Sequence, residues 1–244
     1  MRSHADEETG GSSPVDEEGS ATIGAMSDWE QFLDEVSWFL GTGEGAAVGM
    51  ARPWAREPIA GLPELSALLA SATVTPVSLG DAAFELLAWG SSGRRRGWLC
   101  HPPRDAESDR IVQTHKSFWK ACGGIVERFG EPPTWWVNQN EVLTAAATQV
   151  RIADVLNDYA WIWEDDGLEI AIDPDDYYAV AVEANGNLTL AHREDGRLLL
   201  FAPDHAFADV TPVVGSPPYS LLTIDEVPDL ATWIEACAAA WRHQ

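Results

Sequence analysis

The chain has 244 residues with 45% apolar side chains, enough to bury a sizeable core as one large or two small domains, which excludes disorder throughout. Its 39 acidic and 15 basic residues give a net charge of -24, so phosphate backbones and anionic bilayers would be repelled, and neither nucleic acid nor a membrane surface is an expected partner. Cys100, Cys122 and Cys237 are odd in number and widely spaced, and no window approaches the roughly 20 apolar residues of a membrane span, which fits buried thiols in a reducing cytoplasm.

Residues 1–26 set Asp6, Glu7, Glu8, Asp16, Glu17 and Glu18 among glycines and serines with almost nothing to bury, so this acidic tail is expected to be disordered, and Met26 is a candidate translation start. Ser27 and Glu30 then form a capping box for a helix running to Gly41, with Trp29, Phe32, Leu33, Val36 and Leu40 on one stripe. Strand-like runs follow at 46–50, 73–78, 84–89 and 97–101, with a short helix opened by Pro63, so residues 27–106 are expected to form an N-terminal α+β subdomain. Arg94, Arg95 and Arg96 stand between glycines and read as a solvated hairpin tip.

A second unit is expected over 108–244. It opens with a helix capped by Ser108, with Ile111, Val112, His115, Phe118, Trp119 and Cys122 on one face and Gly123-Gly124 at its end. Helical propensity returns over 141–156. Strand runs at 177–183, 187–192 and 197–202 are separated by Asn185-Gly186 and Asp195-Gly196, whose positive φ angles suit tight turns. A closing helix after Pro228 places Leu230, Trp233, Ile234, Cys237 and Trp241 on one face. The fold class is therefore α+β, an antiparallel meander packed against helices.

Catalytic and metal motifs fare poorly. Gly41, Gly43, Gly45 and Gly49 follow a helix instead of a strand and lack a following Gly-Lys-Ser or Gly-Lys-Thr, so they do not make a phosphate loop. The six histidines never stand at metal-ligand spacing, His115 sits on an apolar stripe, and His205, though near Asp204 and Asp209, has no nucleophile elbow beside it. Asp173 and Asp175 are followed by Tyr177 where a calcium loop needs other residues, and acidic doublets in turns are no evidence for a glycosidase pair.

The acidic tract remains. Between Arg151 and His192 there is no basic residue, while Asp154, Asp158, Glu164, Asp165, Asp166, Glu169, Asp173, Asp175, Asp176 and Glu183, ten of the 39, all lie there. Crowded carboxylates repel one another, so either solvent tolerates them or a cationic ligand relieves them. Asp165, Asp166, Glu169, Asp173, Asp175 and Asp176 are the candidate partner-binding residues, with Trp135 and Trp136, set among prolines and asparagines, as aromatic anchors. The alternatives are a hydrolase using Asp165, Asp166, Asp175 or His205, and a regulatory scaffold.

From about 108 to 244 the chain resembles the SMI1/KNR4 or SUKH superfamily, on Phe118 and Trp119 before Gly123-Gly124, on the meander, and on Leu230, Trp233 and Ile234 of the closing helix. It departs from that pattern in having Arg110-Ile111 where a Leu-Pro precedes the first helix, and in its N-terminal region. The resemblance implies a non-catalytic, cofactor-free protein that binds through a divergent concave surface, as bacterial immunity proteins do when they neutralise toxins. A bacterial source also fits the excess of arginine over the two lysines, Lys116 and Lys120. The acidic tract would then suit a basic toxin such as a nuclease.

Overall fold

The computed structural model describes residues 26–91, 93–105, 110–132, 140–203 and 207–242; the tail expected over 1–26 lies outside them apart from Met26. The strands form two antiparallel sheets. The first contains β1 (Ala47–Val48), β2 (Arg52–Pro53), β3 (Thr73–Leu79), β4 (Ala82–Trp89), β5 (Arg96–Cys100) and β6 (Ile125–Phe129), in the order β1-β3-β4-β5-β6 with β2 also on β3. The second contains β7 (Tyr177–Val182), β8 (Leu188–His192), β9 (Leu198–Phe201), β10 (Val210–Pro212) and β11 (Leu221–Ile224), in the order β10-β11-β9-β8-β7. The expected meander is β7-β8-β9. Gly186 at φ +91° provides the left-handed backbone of its first turn.

Strand alternation decides the layers. On β4, Leu86 and Ala88 face Trp29 and Phe32 of α1 (Asp28–Glu35), while Leu87 and Trp89 face the opposite way into a central core. That core holds Leu65, Leu68 and Leu69 of α2 (Pro63–Ala70), Phe118 and Trp119 of α3 (Gln113–Ala121), and Leu230, Trp233, Ile234 and Trp241 of α6 (Leu230–Arg242). Its far wall is the second sheet, through Tyr178, Val180, Leu198, Leu200 and Leu222. The other face of that sheet, with Tyr177, Leu190, Leu199 and Phe201, is covered by Ile152 and Leu156 of α4 (Ile152–Asp158) and Ile162 and Trp163 of α5 (Trp161–Asp165). The order is thus helix, sheet, helices, sheet, helices, and both sheets are apolar on both faces. Each buried Leu or Phe contributes roughly 1.5–3 kcal/mol, which lets short strands hold together.

The division expected between 106 and 108 does not separate the sheets. β6, from beyond residue 108, pairs with β5, and the central core continues across both units. The sheets are joined through residues 140–143, of which 141–143 lie at the start of the helix expected over 141–156. Instead the Val142 and Ile125 amides donate to each other's carbonyls at 2.9 and 2.8 Å, Asn140 and Val182 exchange a similar pair, and the Leu143 amide donates to the Val180 carbonyl at 2.6 Å. Glu141 and Leu143 take left-handed φ values of 47° and 55°, incompatible with a helix. Leu143 is buried, so packing overrides the propensity of the segment, and only α4 and a 3-10 turn at Ala147–Gln149 survive of the expected 141–156 helix.

Other boundaries also move. α1 stops at Glu35, short of Gly41, because leaving the helix after Val36 lets Phe39 meet Phe32 at 5.3 Å and Phe84 at 6.3 Å. α3 starts at Gln113 with Val112 as its N-cap and no side-chain cap; Ser108 lies outside the described residues. The arginine run is only partly a solvated tip. Arg95 grips both carboxylate oxygens of Asp28 at 2.7 Å, and Arg96 donates to the Trp241 carbonyl at 3.3 Å, so two of the three fasten α1 and α6 to the first sheet. The Arg95 guanidinium holds the Asp28 carboxyl below its usual range.

Candidate functional site

The buried ionisable groups His115 and Glu85 are partnered, whereas the indole N–H groups of Trp163 and Trp233 have no hydrogen-bond partner among the described residues. His115 is fully buried, with Nε2 at 3.1 Å from the Leu143 carbonyl and Nδ1 at 3.3 Å from the Tyr178 hydroxyl, and burial lowers its pKa to about 4. That imidazole supports the structure of the junction. Glu85 is paired with Arg56 at 2.6 Å, and the same guanidinium donates to the Ala121 carbonyl at 2.7 Å. Among the described residues no group of three or more His, Cys, Asp or Glu side chains is placed to hold a metal ion, and no helix is long and apolar enough to cross a membrane. A cavity between Trp98, Phe118 and Trp233 measures about 30 Å³, room for little more than a water.

The surface outside the second sheet differs. Asp165, Asp166, Glu169, Asp173, Asp175 and Asp176 are all exposed, and among the described residues none of the six has a cation within 4 Å. Their backbone is nevertheless held firmly. Ile162 and Trp163 anchor α5 on the sheet, so Asp165 and Asp166 project from a fixed element. Asp173 caps a 3-10 turn at Pro174–Asp176 by accepting from the Asp175 amide at 3.0 Å. Arg193 fastens that turn from β8's far end: its amide donates to the Asp176 carbonyl at 2.8 Å and its Nε to the Asp175 carbonyl at 2.9 Å.

The register of the sheet splits these carboxylates into two groups. Asp173 and Asp176 border an open groove of about 580 Å³ with Tyr177, His192, Arg197, Leu199 and Thr223. Asp165 and Asp166 border another, of about 440 Å³, with Trp161, Pro217, Pro218 and Tyr219. Leu221 pairs with Phe201 and Leu222 with Leu200, so Leu199 and Thr223 mark one end of β9 and β11, and Tyr219 the other. Asp173 and Asp176 therefore lie at the opposite end of the outer face from Asp165 and Asp166, while along β10 the first groove runs on to Val213, whose amide donates to the Leu221 carbonyl at 2.9 Å. Glu169 and Asp175 border neither.

The grooves differ in charge. The first sets Arg197 and His192 beside its carboxylates, and His192 Nδ1 lies 2.9 Å from Asp195 Oδ1. Among the described residues the second has Asp165 and Asp166 as its only charged lining residues, beside Trp161 at 57% and Tyr219 at 52% exposure. Neither aromatic stood out in the sequence. The available signal was the Trp161-Ile162-Trp163 triplet, since on a short helix lying on a sheet three successive large apolar residues cannot all face inward. Trp135, Trp136, Asp204 and His205 lie outside the described residues.

Compared with known proteins, the chain matches no family model, no curated protein and no solved structure.

Proposed function

We propose that this protein is a non-catalytic binding module whose outer acidic face engages a cationic protein, and that it acts as an immunity protein neutralising a basic toxin. The observation that carries the reading is the set of exposed carboxylates on α5 and the Pro174–Asp176 turn, held by backbone contacts and with no cation within 4 Å of their oxygens among the described residues. Such an array costs the folded state self-repulsion, which a cationic partner would relieve while gaining electrostatic steering toward the right face. The resemblance of 108–244 to the SUKH superfamily supports the same role.

The test uses the protein encoded immediately beside this one. That neighbour is expressed in bacteria alone, then with this chain, then with the Asp175→Lys/Asp176→Lys variant. The reading expects growth arrest by the neighbour, rescue by the unaltered chain, and weaker rescue by the variant. A harmless neighbour, or a rescue that ignores both lysines and the equivalent change at Asp165 and Asp166, would refute it.

A further inference from the structure

The two grooves on the outer face are not equivalent, and the one at α5 has the chemistry of a specific receptor. Trp161 and Asp165 are four residues apart on α5 and so share one face of the helix. Opposite them, Tyr219 follows Pro217 and Pro218 on a loop closed by the Ser220 hydroxyl, which donates to the Pro217 carbonyl at 2.7 Å; the Ala202 amide donates to the Ser220 carbonyl at 3.0 Å. Two prolines and these hydrogen bonds fix the loop before any ligand arrives, which lowers the ordering cost of binding. The result is two half-exposed aromatic side chains and two carboxylates around one groove, with no basic residue in its lining among the described residues.

Resting on the protein-binding reading above, we infer that this groove receives an extended, arginine-bearing segment of the protein partner. Charge complementarity selects a cation, because among the described residues Asp165 and Asp166 are the charged groups facing the groove. The aromatic walls select arginine over lysine. A guanidinium is planar, weakly hydrated, able to lie flat on an indole or phenol ring and to present a fork of donors to a carboxylate, whereas an ammonium offers only a strongly hydrated point charge. Pro217 and Pro218 supply apolar surface for the aliphatic stem and the neighbouring backbone. The groove at the other end already holds Arg197, so its carboxylates have less charge to offer a basic ligand.

Two fluorescein-labelled peptides separate this from diffuse attraction: three repeats of Gly-Arg-Gly-Ser, and the same peptide with lysine in place of arginine. Both are titrated with the full chain by anisotropy, up to millimolar protein. The arginine peptide should bind at least about fivefold tighter than the lysine peptide, and Trp161→Ala should weaken it about tenfold and erase the preference. Asp165→Asn/Asp166→Asn should do the same, while Asp175→Asn/Asp176→Asn, which removes equal charge at the opposite end, should weaken it less than about threefold. Equal affinity for both peptides, with equal losses in the two asparagine variants and none in Trp161→Ala, would overturn the groove and leave the acidic-face reading standing. Failure of either peptide to bind even at low salt would overturn both.

Discussion

At the scale of the residue, His115 shows how a position can be read correctly while its purpose stays hidden. Its place on an apolar stripe marks it as a core histidine, but no sequence pattern reveals that it would meet the Leu143 carbonyl beside Tyr178. The chain there must adopt a left-handed φ at Leu143, and the imidazole shares that carbonyl with Trp119 Nε1, which donates at 2.6 Å. Burial holds the folded imidazole down at about 4 against its ordinary 6.5, so between those values the unfolded chain binds the extra proton. Stability from this group is complete above pH 6.5 and falls as the pH drops toward 4, by roughly 3 kcal/mol in all. His115→Gln, which keeps an N–H donor without titrating, should flatten that part of the profile in urea unfolding measured from pH 7 to pH 4. An unchanged slope would show that other groups carry it. Arg95 is the contrary case: three arginines among glycines look solvated, and only the fold brings Asp28, 67 residues away, within 2.7 Å.

At the scale of the element, the signals that held were periodic and long. The closing helix places Leu230, Trp233, Ile234 and Trp241 in the core as its spacing implies, and Asn185-Gly186 turns β7 into β8. The signals that failed were short or overruled. β10 and β11 span only three and four residues, too few to show alternation, and α5 at five residues has no helical period to display. Residues 141–143 give up helix because pairing with both β6 and β7 satisfies the Val142 and Leu143 amides in a buried place, where an unpaired group would be costly. This junction yields a second prediction. Gly124 sits at φ +119°, and a Cβ there would come within 2.5 Å of Thr144 Cα, so Gly124→Ala should destabilise by about 2–4 kcal/mol by urea unfolding. Trp233, which is 1% exposed between the sheets, should lose about 3–5 kcal/mol on replacement by alanine. An equally stable Trp233→Ala protein would contradict the placement of α6 in the central layer.

At the scale of the whole molecule, the layered arrangement explains where recognition can reside. Both sheets are covered on both faces, so the surfaces left for a partner are the outer sides of the helical layers and the ends of the sheets. The net charge of -24 was legible at once, and so was the concentration of acid between Arg151 and His192. What the sequence withheld was the division of that tract into two ends of one sheet, because strand register, not chain proximity, sets it. Steering by such a face acts on the encounter of the two proteins and weakens as salt screens it, over a Debye length of about 8 Å at physiological ionic strength. The most direct test is therefore the association rate constant between this chain and the protein encoded beside it, measured by stopped flow from 50 to 500 mM sodium chloride. The rate should fall about tenfold or more across that range for the unaltered chain, with a slower, flatter dependence for Asp175→Lys/Asp176→Lys and for Asp165→Lys/Asp166→Lys. A rate that ignores both salt and all four lysines, or no association at all, would contradict steering by the acidic face.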